Sequence, residues 1–171
     1  MTLPQLFFGY FAAVMIVLSL LVVTRTNPVH SVLWMLVLFF HIAGIYLFLN
    51  AEFLAAVQLI LYAGAILVLF LFVIMMLNLR EELTAKRSIG GWQIGVALGL
   101  SILSLMLLAI NKFVQGPSGQ YSIEAIRSVT HTKAIGGVLY TEYLFPFEVA
   151  SLILLIAIVG AIVLAKKSKQ Q

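Results

Sequence analysis

The sequence predicts an all-α, polytopic membrane protein of five transmembrane helices, with its N-terminus outside and its C-terminus inside. Of its 171 residues, 63% are hydrophobic and only 9% are charged, whereas soluble domains carry about 25% charged residues. The apolar residues cluster in five stretches, and each approaches or exceeds the roughly 20 residues that a helix needs to cross a bilayer. A soluble enzyme that works alone is therefore excluded.

The five predicted spans are residues 4–24, 28–49, 53–79, 92–110 and 144–165. The first has neither the basic start nor the small-residue cleavage site of a secretory signal, so we interpret it as a retained helix. The third is the longest and is expected to tilt or protrude. Residues 112–143 form a long polar loop on the outer side, and the whole chain, 1–171, is expected to be a single membrane domain.

Local signals mark the starts of three spans. Asn27 precedes Pro28, so a capping side chain stands before a proline suited to the first helical position. Asn50 is expected to cap the third helix, with Glu52 in its first turn. Glu148 is expected in the first turn of the fifth helix.

Basic residues predict the orientation of the spans. One side of the membrane receives seven Lys and Arg residues, namely Arg25, Arg80, Lys86, Arg87, Lys166, Lys167 and Lys169. The other side receives three, namely Lys112, Arg127 and Lys133. Cytoplasmic loops carry the excess of Lys and Arg, so the C-terminus is expected inside and the loop 112–143 outside.

The third stretch carries the polar residues of greatest interest. At 100° per residue, Ala55, Gln58, Tyr62 and Ala65 share one narrow stripe, while the rest of the helix is Leu, Ile, Val and Phe. An unpaired Gln or Tyr in lipid is unfavourable. The stripe is therefore expected to face a protein partner.

Tyr62 and Gly64 lie near the expected bilayer midplane, where Ala63 and Ala65 also remove side-chain bulk. Two interpretations remain open. The small residues permit tight helix packing, or they permit a break or π-type bulge in the hydrogen-bond ladder. Under the second interpretation the bulge is a hinge that gates a path for water and protons.

Two acidic residues are candidates for proton exchange. A carboxylate in the first turn of a helix is stabilised by the helix dipole by about 0.3–1 kcal/mol, and this accounts for Glu52 and Glu148. Alternatively, one of the two exchanges protons at the membrane edge, and Glu148 is the preferred candidate. His41 has no evident partner on its own helix, and we interpret it as a neutral, hydrogen-bonded core histidine or else as a proton relay.

The fourth span begins with Gly91, Gly95 and Gly99, two overlapping G-x-x-x-G steps that predict a groove for another helix. The sequence contains no cysteine, no nucleotide-binding or hydrolase motif, and no mid-membrane lysine or arginine. We therefore predict no catalytic residue, cofactor or metal site and no nucleic-acid partner for this chain. A membrane subunit, surrounded by other subunits and lipid, fits this pattern.

The run from Glu52 to Leu77 resembles the third helix of the subunit J family of NADH-quinone oxidoreductase, respiratory complex I, which corresponds to mitochondrial chain 6. The segments 27–31 and 143–151 are similar to the family pattern as well. The resemblance implies five helices beside subunits of the A, K, H and N types in the bacterial inner membrane. It also implies that FMN, iron–sulfur clusters and quinone are held by other subunits.

The resemblance further implies a π-bulge near Tyr62 and Gly64 and a switching role for the third helix. The functional hypothesis is a subunit that couples quinone reduction to proton translocation, with Gln58, Glu52 and Glu148 as further candidates for the gate or proton path. The alternatives are a purely structural or assembly subunit, or a subunit of a multi-subunit cation/proton antiporter.

Overall fold

The computed structural model describes residues 2–77, 92–111 and 122–166. These residues are helical apart from short connections. The elements in chain order are α1 (Leu3–Thr24), α2 (Pro28–Phe48), α3 (Glu52–Val57), a π-helical segment (Gln58–Ile66), α4 (Leu67–Met76), α5 (Trp92–Asn111), α6 (Ile123–Val129), α7 (His131–Leu139) and α8 (Leu144–Ala165).

Five stretches of the described chain are long and apolar enough to cross a membrane. They are Leu3–Thr24, Pro28–Phe48, Glu52–Met76, Trp92–Ile110 and Leu144–Ala165. The predicted all-α membrane fold is confirmed, and the starts of the spans agree with prediction to within one residue. Glu52–Met76, which contains α3, the π segment and α4, is called the third span below. Residues 78 and 79 of the predicted span lie outside the described residues.

The chain divides into two compact units, Met1–Gln120 and Tyr121–Gln171. Helices α1 to α5 belong to the first unit, and α6 to α8 belong to the second. The predicted orientation of the termini and the expectation of a single membrane domain both stay predictions.

The turn between α1 and α2 contains the predicted cap. The Asn27 side chain accepts a hydrogen bond of 2.9 Å from the Val29 backbone N–H, and Pro28 is the first residue of α2. This satisfies one of the backbone donors that every helix start leaves without an intrahelical partner. One turn further on, the Ser31 hydroxyl donates to the carbonyl of Val22 in α1.

Helices α1 and α2 pack closely at a glycine that the sequence did not single out. A Cβ atom at Gly44 would lie 2.8 Å from Cε1 of Phe11, closer than carbon atoms approach without repulsion. A second ring contact joins the far ends of the two helices, where the centroids of Phe7 and Phe48 are 5.3 Å apart. The absence of a side chain at Gly44 therefore fixes how near the helices lie.

Helix α2 ends in a turn that determines where the third span starts. Asn50 has a positive φ of 58°, a conformation that Asn tolerates better than most residues. Its N–H donates to the Leu47 carbonyl at 3.0 Å, and the Ala51 N–H donates to the Tyr46 carbonyl at 2.8 Å. This pair of bonds is the Schellman motif.

The expectation that Asn50 caps the third helix is therefore wrong. The residue preceding α3 is Ala51, which makes no side-chain cap. Asn50 terminates α2 instead, because its left-handed backbone lets the last carbonyls of that helix find donors.

The second unit contains two short helices in the segment predicted as a polar loop. The Ser122 hydroxyl accepts from the Ala125 N–H at 3.2 Å and caps α6. In the turn after α7, the Val138 carbonyl accepts from the N–H groups of Glu142 and Tyr143 at 3.0 and 3.1 Å. The predicted loop is thus partly helical before α8 begins.

Candidate functional site

The middle of the third span is a π-helix. Six residues of α-helix precede it and ten follow it, while the π segment itself is nine residues long. At its end the Leu67 N–H donates to the carbonyl of Tyr62, five residues back, whereas an α-helix bonds four residues back. Helices of this kind are rare and occur frequently at functional sites. The structure thus contains the bulge that the sequence resemblance implied.

The π segment changes the spacing of the buried residues along the third span. Ala55, Gln58, Ala63 and Leu67 are 3%, 6%, 6% and 4% exposed. Their spacings are three, five and four residues. The five-residue step falls inside the π segment, because a wider turn needs one more residue to return to the same face. Helix α2 packs along all three parts of the span.

The stripe predicted at 100° per residue is therefore wrong beyond Gln58. Tyr62 is 46% exposed, and Ala65 is exposed as well. The prediction assumed an uninterrupted α-helix, whereas the π turn moves the second half of the stripe off the buried face. The Tyr62 ring instead meets Phe39 of α2 edge to face, with centroids 6.0 Å apart and ring planes at 82°.

Gln58 is the polar residue buried on this face. It is the first residue of the π segment, and α2 packs along that segment. Gln58 is thus buried within the chain itself, and the expectation that the stripe faces a neighbouring protein stays a prediction. A buried amide without hydrogen bonds carries a desolvation penalty, so polar neighbours are favoured beside Gln58.

Gly64 is exposed at the middle of the π segment. A Cβ atom there would lie 3.3 Å from the carbonyl oxygen of Leu59, five residues back. That distance is shorter than the optimal separation of nonbonded heavy atoms. Glycine therefore avoids crowding that a side chain would introduce into this turn.

The two candidate carboxylates differ in position. Glu52 is exposed and is the first residue of α3, as expected. Glu148 is exposed but is the fifth residue of α8, so the expectation that it lies in the first turn is wrong. The helix starts at Leu144 because proline is tolerated in a first turn, and Pro146 does not delay it. The helix dipole weakens beyond the first turn, so it accounts for Glu52 better than for Glu148.

His41 is held within the α1–α2 pair. Its Nδ1 lies 2.8 Å from the Val37 carbonyl, to which it donates, and its ring is 6.1 Å from Phe11 and 6.3 Å from Tyr10 between centroids. The expected hydrogen bond is therefore present, although the ring is half-buried and does not lie in a core. The partner is a backbone carbonyl of its own helix, where the sequence had suggested none.

None of the described residues covers the glycine groove of α5. A Cβ atom at Gly95 or Gly99 would meet nothing within 4 Å, and the described side chains of α5 are exposed. Gly91 lies outside the described residues. The use of this groove by a neighbouring helix stays a prediction. Among the described residues no three His, Cys, Asp or Glu side chains form a group that could hold a metal ion.

Residues 18–164 match the family model of NADH-ubiquinone/plastoquinone oxidoreductase chain 6. The chain belongs to this family. It is 37% identical to NADH-quinone oxidoreductase subunit J of Rickettsia typhi, over 97% of this chain and 82% of that protein. It is 38% identical to subunit J of Rhodobacter capsulatus, over 99% and 85%. It is 37% identical to NADH-ubiquinone oxidoreductase chain 6 of Marchantia polymorpha, over 94% and 85%.

Membership in the chain 6 family confirms the resemblance drawn from the third span. It supports a membrane subunit of NADH-quinone oxidoreductase, and one that is not catalytic by itself. With its five apolar helices, the chain 6 family member is a multi-pass protein of the bacterial inner membrane.

Proposed function

We propose that the chain is a cofactor-free coupling subunit of proton-translocating NADH-quinone oxidoreductase, in which the π segment of the third span is a hinge that gates a proton path. FMN, iron–sulfur clusters and quinone belong to other subunits, and the neighbours are membrane subunits of the A, K, H and N types. The observation that carries the proposal is the nine-residue π segment, Gln58–Ile66, in the middle of an otherwise α-helical span.

The hinge works by rotation. Each residue of an α-helix turns the chain by about 100°, so converting the π segment to α-helix removes one residue from a turn and rotates α4 relative to α3 by a similar angle. Residues of α3 and residues of α4 that lay on the same face of the span then point in different directions. Four-residue neighbours share a face of an α-helix, whereas the buried face here follows a five-residue step.

Rotation changes which polar groups are aligned. In the α arrangement Gln58 and Tyr62 share one face, and their amide and hydroxyl groups can both hold water. In the π arrangement Ala63 takes the buried position after Gln58, and Tyr62 turns toward Phe39. Apolar constrictions exclude water from pores, so the aligned state favours a water path and the π state interrupts it.

Gly64 influences the balance between the two states. A side chain at this position would crowd the Leu59 carbonyl within the π turn, and it would also raise the intrinsic helix propensity relative to glycine by as much as about 1 kcal/mol. Both effects disfavour the π segment. Glycine at this position therefore keeps the bulge accessible.

The test is Gly64→Leu in the intact complex. NADH oxidation with artificial electron acceptors should remain intact, because it does not need the membrane spans. Quinone-coupled turnover and proton pumping, measured per assembled complex, should fall. Gly9→Leu is the matched control, since Gly9 lies in α1 and a Cβ atom there would meet nothing within 4 Å. Normal pumping by assembled Gly64→Leu complex would exclude the hinge.

The two alternative functions predict different results. A purely structural or assembly subunit predicts that activity follows the amount of intact complex in every variant of the third span. A cation/proton antiporter subunit predicts purification without flavin or iron–sulfur partners, and membership in the chain 6 family argues against it. Optical spectra of the purified assembly distinguish the antiporter from the oxidoreductase.

A further inference from the structure

A cavity lies within the first unit, beside the turn that joins α1 to α2. Its volume is about 490 Å³, within the roughly 300–1,000 Å³ of small-molecule sites. Val22 and Pro28 line the side of the α1–α2 turn, Met35 lies one to two turns further along α2, and Phe70 and Ile74 close the cavity from α4. The walls are thus largely apolar.

Arg25 supplies a cation to this cavity. It lines the cavity yet is itself exposed, and its guanidinium lies 5.9 Å from the ring centroid of Trp34. In the described ranges 2–77, 92–111 and 122–166, no ion pair joins it to a carboxylate. An exposed guanidinium beside an apolar cavity matches a ligand with an anionic head and a hydrocarbon tail.

We propose that this cavity binds an anionic phospholipid of the surrounding bilayer. Arg25 follows the last residue of α1 directly, so it lies where a span meets the headgroup layer. Arginine recognises phosphate through paired N–H donors, and basic residues at the membrane surface attract anionic lipids. One acyl chain fills the space between Met35 and Phe70, and the phosphate pairs with Arg25. A neutral isoprenoid quinone carries no anionic group to form an ion pair with Arg25.

The lipid would contact both sides of the proposed hinge. Val22 and Met35 belong to the α1–α2 pair, whereas Phe70 and Ile74 belong to α4, beyond the π segment. This step rests on the proposed function. Rotation of α4 by about 100° would remove Phe70 and Ile74 from the cavity wall, so lipid binds preferentially to the π state and stabilises it.

The test counts anionic phospholipid retained by the purified, detergent-solubilised complex. Arg25→Gln should reduce the phospholipid bound at this site about fivefold, the factor expected for one basic residue at an anionic membrane surface. Arg25→Lys should retain most of it. Lys166→Gln is the matched control, because Lys166 also directly follows a span and is exposed. Equal retention by Arg25→Gln and wild type, or equal loss in Arg25→Gln and Lys166→Gln, overturns the proposal.

A second variant tests the cavity without changing its charge. Met35→Trp fills the apolar part and should displace the lipid while Arg25 is unchanged. Retained phospholipid in the assembled Met35→Trp complex, or a quinone recovered from this site in its place, overturns the proposal. Lipid retention is measured without turnover, so it stands or falls separately from the hinge. Normal pumping in Gly64→Leu would exclude the hinge and leave the lipid site intact.

Discussion

Tyr62 and Phe39 meet edge to face, with ring centroids 6.0 Å apart and planes at 82°. Tyr62 belongs to the π segment, and Phe39 belongs to α2. The contact therefore joins the irregular part of the third span to a regular neighbour. Pairs of this geometry contribute about 0.5–1.5 kcal/mol beyond the area they bury, so this contact favours the π conformation of the segment.

We expect Tyr62→Phe to separate the ring from the hydroxyl. The variant keeps the aromatic contact, so assembly should be normal, but it removes the group that would bind water in the α arrangement. Proton pumping per electron pair should fall, as measured by acidification in sealed vesicles. Tyr62→Leu, which removes the ring as well, should in addition lower the temperature of thermal inactivation. Unchanged pumping in Tyr62→Phe would show that the hydroxyl is not part of the proton path.

Gln58→Leu should leave the complex assembled and reduce its quinone-coupled turnover. Leucine is close in size and suits a position that is 6% exposed, so packing is retained while the amide is lost. Ala55→Val on the same buried face is the comparison, because it alters packing without removing a polar group. If Ala55→Val lowered turnover per complex as much as Gln58→Leu, a polar role for Gln58 would be contradicted.

The two carboxylates should respond differently to neutralisation. Glu52 lies in a first turn, where the dipole accounts for a carboxylate, so Glu52→Gln should pump normally and lose a little stability. Glu148 lies in the second turn of α8, and Glu148→Gln should lower proton translocation at equal assembly. Pumping assays on both variants, normalised to flavin content, decide this. Equal pumping by the two would leave Glu148 without a proton role.

Gly44→Val should weaken the α1–α2 pair. The added atoms meet Phe11, whose Cε1 would lie 2.8 Å from the new Cβ, and overpacking of this kind costs about 1–3 kcal/mol. The yield of assembled complex and its thermal inactivation temperature should both fall. Gly9→Val, in open space on α1, should not have this effect. Adding Phe11→Leu should restore part of the loss.

The sequence predicted the spans well because their signals are local and strong. Length and apolar composition located all five to within a few residues, and Asn27 with Pro28 predicted a cap that the structure contains. The spans and this cap depend on neighbours in the chain and need no knowledge of packing. At Tyr62 and Gly64 the residues alone left tight packing and a π-bulge both open, and the bulge that the structure contains was implied by the family resemblance.

Other features depended on contacts that the sequence does not contain. The polar stripe was extrapolated at a constant 100°, so the five-residue step between Gln58 and Ala63 was missed. Asn50 can cap one helix or end another, and only the hydrogen bonds to the preceding turn decide between them. Gly44 has no motif around it; its importance comes from the Phe11 ring on a neighbouring helix.

The Schellman turn at Asn50 makes the third span asymmetric. Its two hydrogen bonds tie the start of α3 to the end of α2 over only three intervening residues, so this end is anchored to the α1–α2 pair. Under the proposed hinge, a change of twist within the π segment would therefore appear mainly at the opposite end, at Met76. The left-handed backbone of Asn50 would then set the direction in which that motion travels.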